Sequence, residues 1–150
     1  MIKIICVGKI KEKYLRDAIE EYQKRLSKYT KLEIIEVKDS KHDNKELALK
    51  EEEERILKVI KESDYNICLT IEGTQYSSED FADHLNDMIG LNDIAFIIGG
   101  SHGIPKTIRE MAKEEISFSK LTFPHQLFRV LLLEQIYRAY RIINNETYHK

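Results

Sequence analysis

The stretch Ile94-Ala95-Phe96-Ile97-Ile98 constrains this chain more than any other, because it is apolar without a break and stops at Gly99-Gly100-Ser101-His102-Gly103. A strand in a parallel sheet is covered by helices on both faces, so none of its positions can be polar, and it reads as such a continuous run. The glycines then form a bare loop at the strand's C-terminal edge, the edge at which open α/β sheets bind their ligands. A second loop, Phe118-Ser119-Lys120-Leu121-Thr122-Phe123-Pro124-His125, leads directly into a long apolar helix. The candidate chemistry lies around these two loops.

The remaining periodicities agree. Residues 2–7 are an apolar run closed by Gly8, and 32–37 alternate apolar with acidic residues, so both read as strands. Tyr14 to Tyr29 repeats Leu15, Ile19, Tyr22 and Leu26 at helical spacing, and Leu47 to Ile60 is helical by Leu49, Ile56 and Ile60. Within that second helix, Glu51 to Glu54 read as a solvated face. Tyr65 to Ile71 is a third strand, and Ser77 with Asp80 resembles a capping box opening a helix that ends at Gly90. Pro105 suits the first turn of a helix reaching Lys113, residues 115–118 are a short fifth strand, and Pro124 starts a helix running to Ile143. Alternating strands and helices predict an α/β fold in one domain, 1–150, with a mostly parallel sheet and helices on both faces.

That last helix is apolar almost all round, its charge confined to a Glu134, Arg138, Arg141 stripe. It is expected to be buried on more than one side, against the sheet and against a second subunit. If exposed together, Leu132, Leu133, Ile136 and Tyr140 would be too large an apolar patch for a monomer.

Composition narrows the function class. With 42% hydrophobic and 33% charged residues the chain is not disordered, and no apolar run approaches the length of a membrane span, so a cytosolic, cytoplasmic protein is expected. Cys6 and Cys68 each sit in an apolar strand-like run and read as buried structural thiols, and no spacing of histidines or cysteines supports a metal site. The net charge of −2 conceals a segregation. Residues 1–31 carry nine Lys/Arg against four Asp/Glu, 32–98 seven against seventeen, and 99–150 eight against five. If the two basic ends meet in space they form a face suited to a polyanion.

The glycine loop fails the dinucleotide fingerprint, since Ile98 stands where the first glycine belongs, and no lysine follows to make a phosphate loop. It fits a backbone left bare for close approach by a ligand, with Gly99 as the point of approach, and equally a plain strand-to-helix turn. The second loop mixes the hydroxyls of Ser117, Ser119 and Thr122 with the apolar Phe118, Leu121 and Phe123. That mixture suits a purine held by its faces and by main-chain hydrogen bonds on its edge, and it also suits a capped connection.

Taken together, Ile97-Ile98-Gly99-Gly100-Ser101-His102-Gly103, then Ser117 through His125, Arg129, Glu134-Gln135-Ile136-Tyr137-Arg138-Ala139 and the terminal Tyr148-His149-Lys150 resemble one family. With the opening Val7-Gly8-Lys9 and the length, the chain as a whole resembles the ribosomal large-subunit methyltransferase H family of the SPOUT class. The resemblance implies a homodimer with a C-terminal trefoil knot, S-adenosyl-L-methionine as cofactor, and methylation of N3 of a pseudouridine in 23S rRNA within the assembled 70S ribosome. It implies cofactor contacts at Leu69, Gly99, Gly100, Gly103 and Phe118, Ser119, Lys120, Leu121, Thr122 and Phe123. The family's tail often ends Tyr-His-Arg; here Lys150 puts a point charge in place of a fork.

The residue chemistry agrees with that assignment. The methyl donor is an activated sulfonium, so transfer to an imino nitrogen needs no metal, only a positioned acceptor and removal of one proton. His125 and His149 are the side chains able to accept it near neutrality. Arg138, oriented by Glu134, suits an anionic base or a phosphate, and Tyr148 belongs to the same tail. Lys9, Lys11, Lys13, Arg129 and Lys150 are the candidate RNA contacts, arranged around the methyl donor. Two rivals remain: a non-catalytic ribosome- or RNA-binding module, and a nucleotide-using α/β enzyme with a small-molecule substrate.

Overall fold

The computed structural model describes residues 1–150, and its elements alternate as the periodicities predict. They are β1 (Ile2–Val7), α1 (Lys13–Leu26), β2 (Leu32–Val37), α2 (Lys45–Leu57), β3 (Tyr65–Gln75), α3 (Ser78–Met88), β4 (Ile94–Ile98), α4 (Lys106–Met111), β5 (Glu114–Ser117) and α5 (His125–Ile143). The strands pair in the order β2-β1-β4-β3-β5, and every pairing is parallel. The strand ending in the glycines is therefore central, and all five of its residues are buried. Local signals place the helix starts: Asn44 Oδ1 accepts from the Leu47 amide at 3.0 Å, and Ser77 Oγ from the Asp80 amide at 3.0 Å. Pro105 and Pro124 stand one residue earlier than expected, as N-caps rather than in the first turn.

Alternation along the strands sorts the core into two layers. Ile2, Ile4, Cys6, Phe96 and Ile98 face α1, α3 and α5, while Ile5, Val7, Ala95 and Ile97 face α2 and α4. Helices thus cover both faces, and none is long and apolar enough to cross a membrane. Both cysteines are buried, and desolvation pushes each thiol up to about 12.

The structure corrects the reading of α5. Leu132, Leu133 and Ile136 are fully buried and Tyr140 nearly so, inside this one chain, because α1 and α3 flank α5 on the sheet. Those four residues supply no patch for a second subunit; only Leu127, among the helix's large apolar side chains, is exposed. The two basic ends do meet, since α1 packs along α5.

β3 runs four residues further than expected, to Gln75, and its register with β5 shifts between Leu69 and Thr74. The intervening residues form a bulge, and Gly73 within it lies so close to β5 that a Cβ would stand 2.6 Å from the Glu115 and Ile116 backbone.

An ion pair lies buried beside the sheet. Lys3 on β1 is level with Ala95 on β4, whose small side chain lets the ammonium reach across to Asp64, 2.6 Å away, with both side chains nearly inaccessible. Removing one partner of a buried pair strands the other charge. Lys3→Met is expected to lower stability by about 3–5 kcal/mol in urea unfolding, with most of it regained in Lys3→Met/Asp64→Leu. A single variant as stable as the parent would show that the pair is neutralised or hydrated.

Candidate functional site

At the C-terminal edge of the sheet a cavity of about 430 Å³ opens between the glycine loop, the second loop and the bulge of β3. Its size is that of a small-molecule site. Leu69, Gly99, Gly100, Gly103, Phe118, Ser119, Leu121, Thr122 and Phe123 all line it, as does His125. Of the expected cofactor residues Lys120 alone is not in the wall; its side chain is exposed. Ile71 and Glu72 from the bulge, Phe128 near the start of α5, and the cations Lys45 and Arg109 also line it; the strand pattern alone did not reveal them. Thr70, also in the wall, keeps a buried hydroxyl with no hydrogen-bond partner in the chain.

The glycine loop closes on itself. Gly103 donates its amide to the Gly100 carbonyl at 3.0 Å and takes φ +85°, a conformation L side chains rarely adopt. A Cβ on Gly99 would collide with the Gly103 carbonyl group and lie 2.8 Å from the Ile104 nitrogen. Gly99 is bare because the loop's own backbone folds onto its Cβ side, while the same residue also lines the cavity.

Glu52 corrects the reading of the acidic run as a solvated face. It is 3% exposed; one oxygen accepts the Ser40 amide at 2.9 Å, and the other has no partner. It stands behind Gly100, where a Cβ would lie 3.7 Å from its free oxygen. Its neighbour Glu51 is paired with Arg55 and, at 3.0 Å, His42.

Arg129 is also corrected. Rather than reaching out to RNA, its side chain is 2% exposed, and its guanidinium donates to Glu36 Oε2 at 2.6 Å and to the Gly8 carbonyl at 3.1 Å. It ties the first turns of α5 to the end of β1. His125 lies just above, its Nε2 3.9 Å from where a Gly8 Cβ would stand. Burial first, and then the Arg129 charge, hold the His125 imidazole below its ordinary value of 6.5, so near pH 7 the ring is neutral and able to accept a proton. Lys9 and Lys11 are exposed on the loop after Gly8 and Lys13 at the first position of α1, and Gln126 Oε1 accepts the Lys11 amide at 3.2 Å, fixing that loop beside the start of α5.

The other candidates gather in a separate cluster. Arg138 donates twice to Glu134 Oε1, at 2.9 and 2.6 Å, and Tyr148 donates to Glu134 Oε2 at 2.9 Å. The Arg138 guanidinium lies 4.7 Å from the Tyr148 ring centroid and donates to His149 Nδ1 at 3.1 Å. A guanidinium can only donate, so the His149 proton is on Nε2, facing Glu79 Oε1 at 2.6 Å. Both nitrogens of His149 are thus occupied, while Lys150 is exposed. None of these residues lines the cavity. At about 1.5 Å of rise per residue, α5 carries Glu134 and Arg138 roughly 14–20 Å along its axis from His125.

Gly99→Ala is expected to open the loop, lowering stability by about 1–3 kcal/mol and weakening any ligand of the cavity. Undiminished stability with lost ligand binding would show that a ligand, not the loop, requires the bare position.

The family model described as Predicted SPOUT methyltransferase matches residues 1–149. The ribosomal RNA large subunit methyltransferase H of Caldicellulosiruptor saccharolyticus is 54% identical over 154 residues, covering 100% of both chains. The proteins of that name from Streptococcus uberis and Clostridium beijerinckii are each 53% identical over 157 residues, covering 99% of both chains. The solved structure of a probable methylase family protein from Haemophilus influenzae aligns with a TM-score of 0.58 at 14% identity, covering 99% of this chain and 70% of that one, a likeness of fold. The chain belongs to the SPOUT methyltransferase family, among the proteins called ribosomal RNA large subunit methyltransferase H.

Proposed function

We propose that this protein is an S-adenosyl-L-methionine-dependent methyltransferase of 23S rRNA, acting as a homodimer on N3 of a pseudouridine in the assembled ribosome. The observation that carries the reading is the cavity at the sheet's C-terminal edge, which collects the glycine loop, the second loop and the end of β3 in one wall. The relatives' names supply the substrate class. A C-terminal trefoil knot, expected from the resemblance, accords with α5 lying between α1 and α3 after β5 has paired with β3.

The cavity fits the cofactor in kind. Phe118, Phe123 and Phe128 offer aromatic surface, the Thr70 hydroxyl is free, and the loop amides are near. Bound there, S-adenosyl-L-methionine supplies a methyl already activated on a sulfonium. The chain's own residues position the acceptor and take up its proton. His125 suits the second task, being neutral, beside the cavity and free of any hydrogen bond that would occupy its lone pair.

Arg138 and Glu134 are too far along α5 to serve the cavity of their own chain, and Tyr148 and His149 are held beside them by hydrogen bonds. In a two-fold dimer the tail cluster of one protomer faces the cavity of its partner, and the site is complete only across two chains. His125→Asn and Arg138→Ala should each be inactive alone. Unfolded and refolded together in equal amounts, they should regain about a quarter of the parental rate on ribosomes, since half the dimers are mixed and each holds one intact site. No recovery, with mixed dimers present, would place the whole site in one chain.

The depressed His125 value sets the pH dependence. The folded state resists a proton that the unfolded state takes up near 6.5, so stability falls as pH drops below that value. The rate should hold through pH 6.5 and decline only at more acid pH. His125→Gln should lose this acid component of the stability profile; an unchanged profile would show that another group sets it.

A further inference from the structure

Tyr14 is an aromatic side chain for which the fold itself finds no use. Its ring is 70% exposed on the first turn of α1, makes no hydrogen bond and stacks on no other ring. The loop before it is nonetheless held: Arg16 donates to the Lys11 carbonyl at 2.6 Å and to that of Ile10 at 3.3 Å, and Gln126 accepts the Lys11 amide. The ring therefore stands at the start of α1, directly after a loop fixed beside the start of α5, which carries His125. Lys9 and Lys11 next to it are exposed and unpaired, and Lys13 has only an exposed contact to Asp17.

We infer that Tyr14 is a stacking platform for an unpaired base of the RNA substrate, with Lys9, Lys11 and Lys13 holding the flanking phosphates. This rests on the rRNA reading above and adds to it the residue that grips a base near the target. Aromatic faces flanked by cations are how proteins hold splayed-out bases, since the ring takes the base and the ammonium groups take the backbone. A second copy of this chain is the poorer occupant. A two-fold contact through this patch would set the unpaired lysines of one protomer against those of the other.

The test uses the full-length protein, purified 70S ribosomes and tritiated S-adenosyl-L-methionine, with sedimentation to record the oligomeric state. Tyr14→Ala should raise KM for ribosomes roughly 5- to 100-fold, the loss of one base stack, with kcat, cofactor affinity and oligomeric state unchanged. Tyr14→Phe, which keeps the ring, should stay within about twofold of the parent. An unchanged KM in Tyr14→Ala overturns the inference while leaving the rRNA reading intact. So does a Tyr14→Phe defect as large as that of alanine, or a fall in sedimentation mass that marks Tyr14 as a subunit contact. Parental protein that transfers no methyl to ribosomes overturns both.

Discussion

The site depends on a guanidinium buried beneath it. Arg129 is 1% exposed and joins three elements: its own helix α5, the carbonyl of Gly8 at the end of β1, and Glu36 on the edge strand β2. A charge so placed is tolerated only with close partners, so the geometry it fixes is held firmly. His125 rides one turn ahead of it, and the loop bearing Lys9 and Lys11 continues from the carbonyl it binds. Its charge also adds to the burial that keeps His125 neutral. One side chain thus ties the cavity's histidine to the basic loop.

Much of this was legible in the sequence, and the boundary is physical. Unbroken apolar runs identified the central strands because both faces of a parallel sheet are dry. The two loops could be paired because the C-terminal edge of such a sheet gathers whatever follows its strands. Charged residues misled. Glu52 and Arg129 read as surface groups, yet each is buried against a partner brought to it by the fold, the Ser40 amide and Glu36. No local pattern announces such a pairing. The apolar breadth of α5 was read correctly as burial on more than one side, but α1 and α3 provide that cover within the chain. Gly99 was correctly marked as a close approach, although what approaches its Cβ side is the loop's own backbone.

Nine to thirteen residues of helix separate His125 from Glu134 and Arg138, side chains that shared chemistry had grouped together. Glu134, Arg138, Tyr148 and His149 were assigned one purpose together with His125, and four of those five form a connected cluster of hydrogen bonds. The fifth is the one that lines the cavity. A helix is rigid, so this separation persists in the folded chain and becomes an argument for two subunits. The case for a dimer therefore moves from an apolar surface to an incomplete site.

The central claim is that this cavity serves transfer of one methyl group to one RNA base. The most direct measurement is mass spectrometry of nuclease fragments of 23S rRNA from cells lacking this protein, compared with cells in which it is restored. The account predicts one pseudouridine-containing fragment lighter by a single methyl in the deletion, and its return on complementation by the parental protein but not by His125→Asn. An identical set of fragment masses with and without the protein would contradict it.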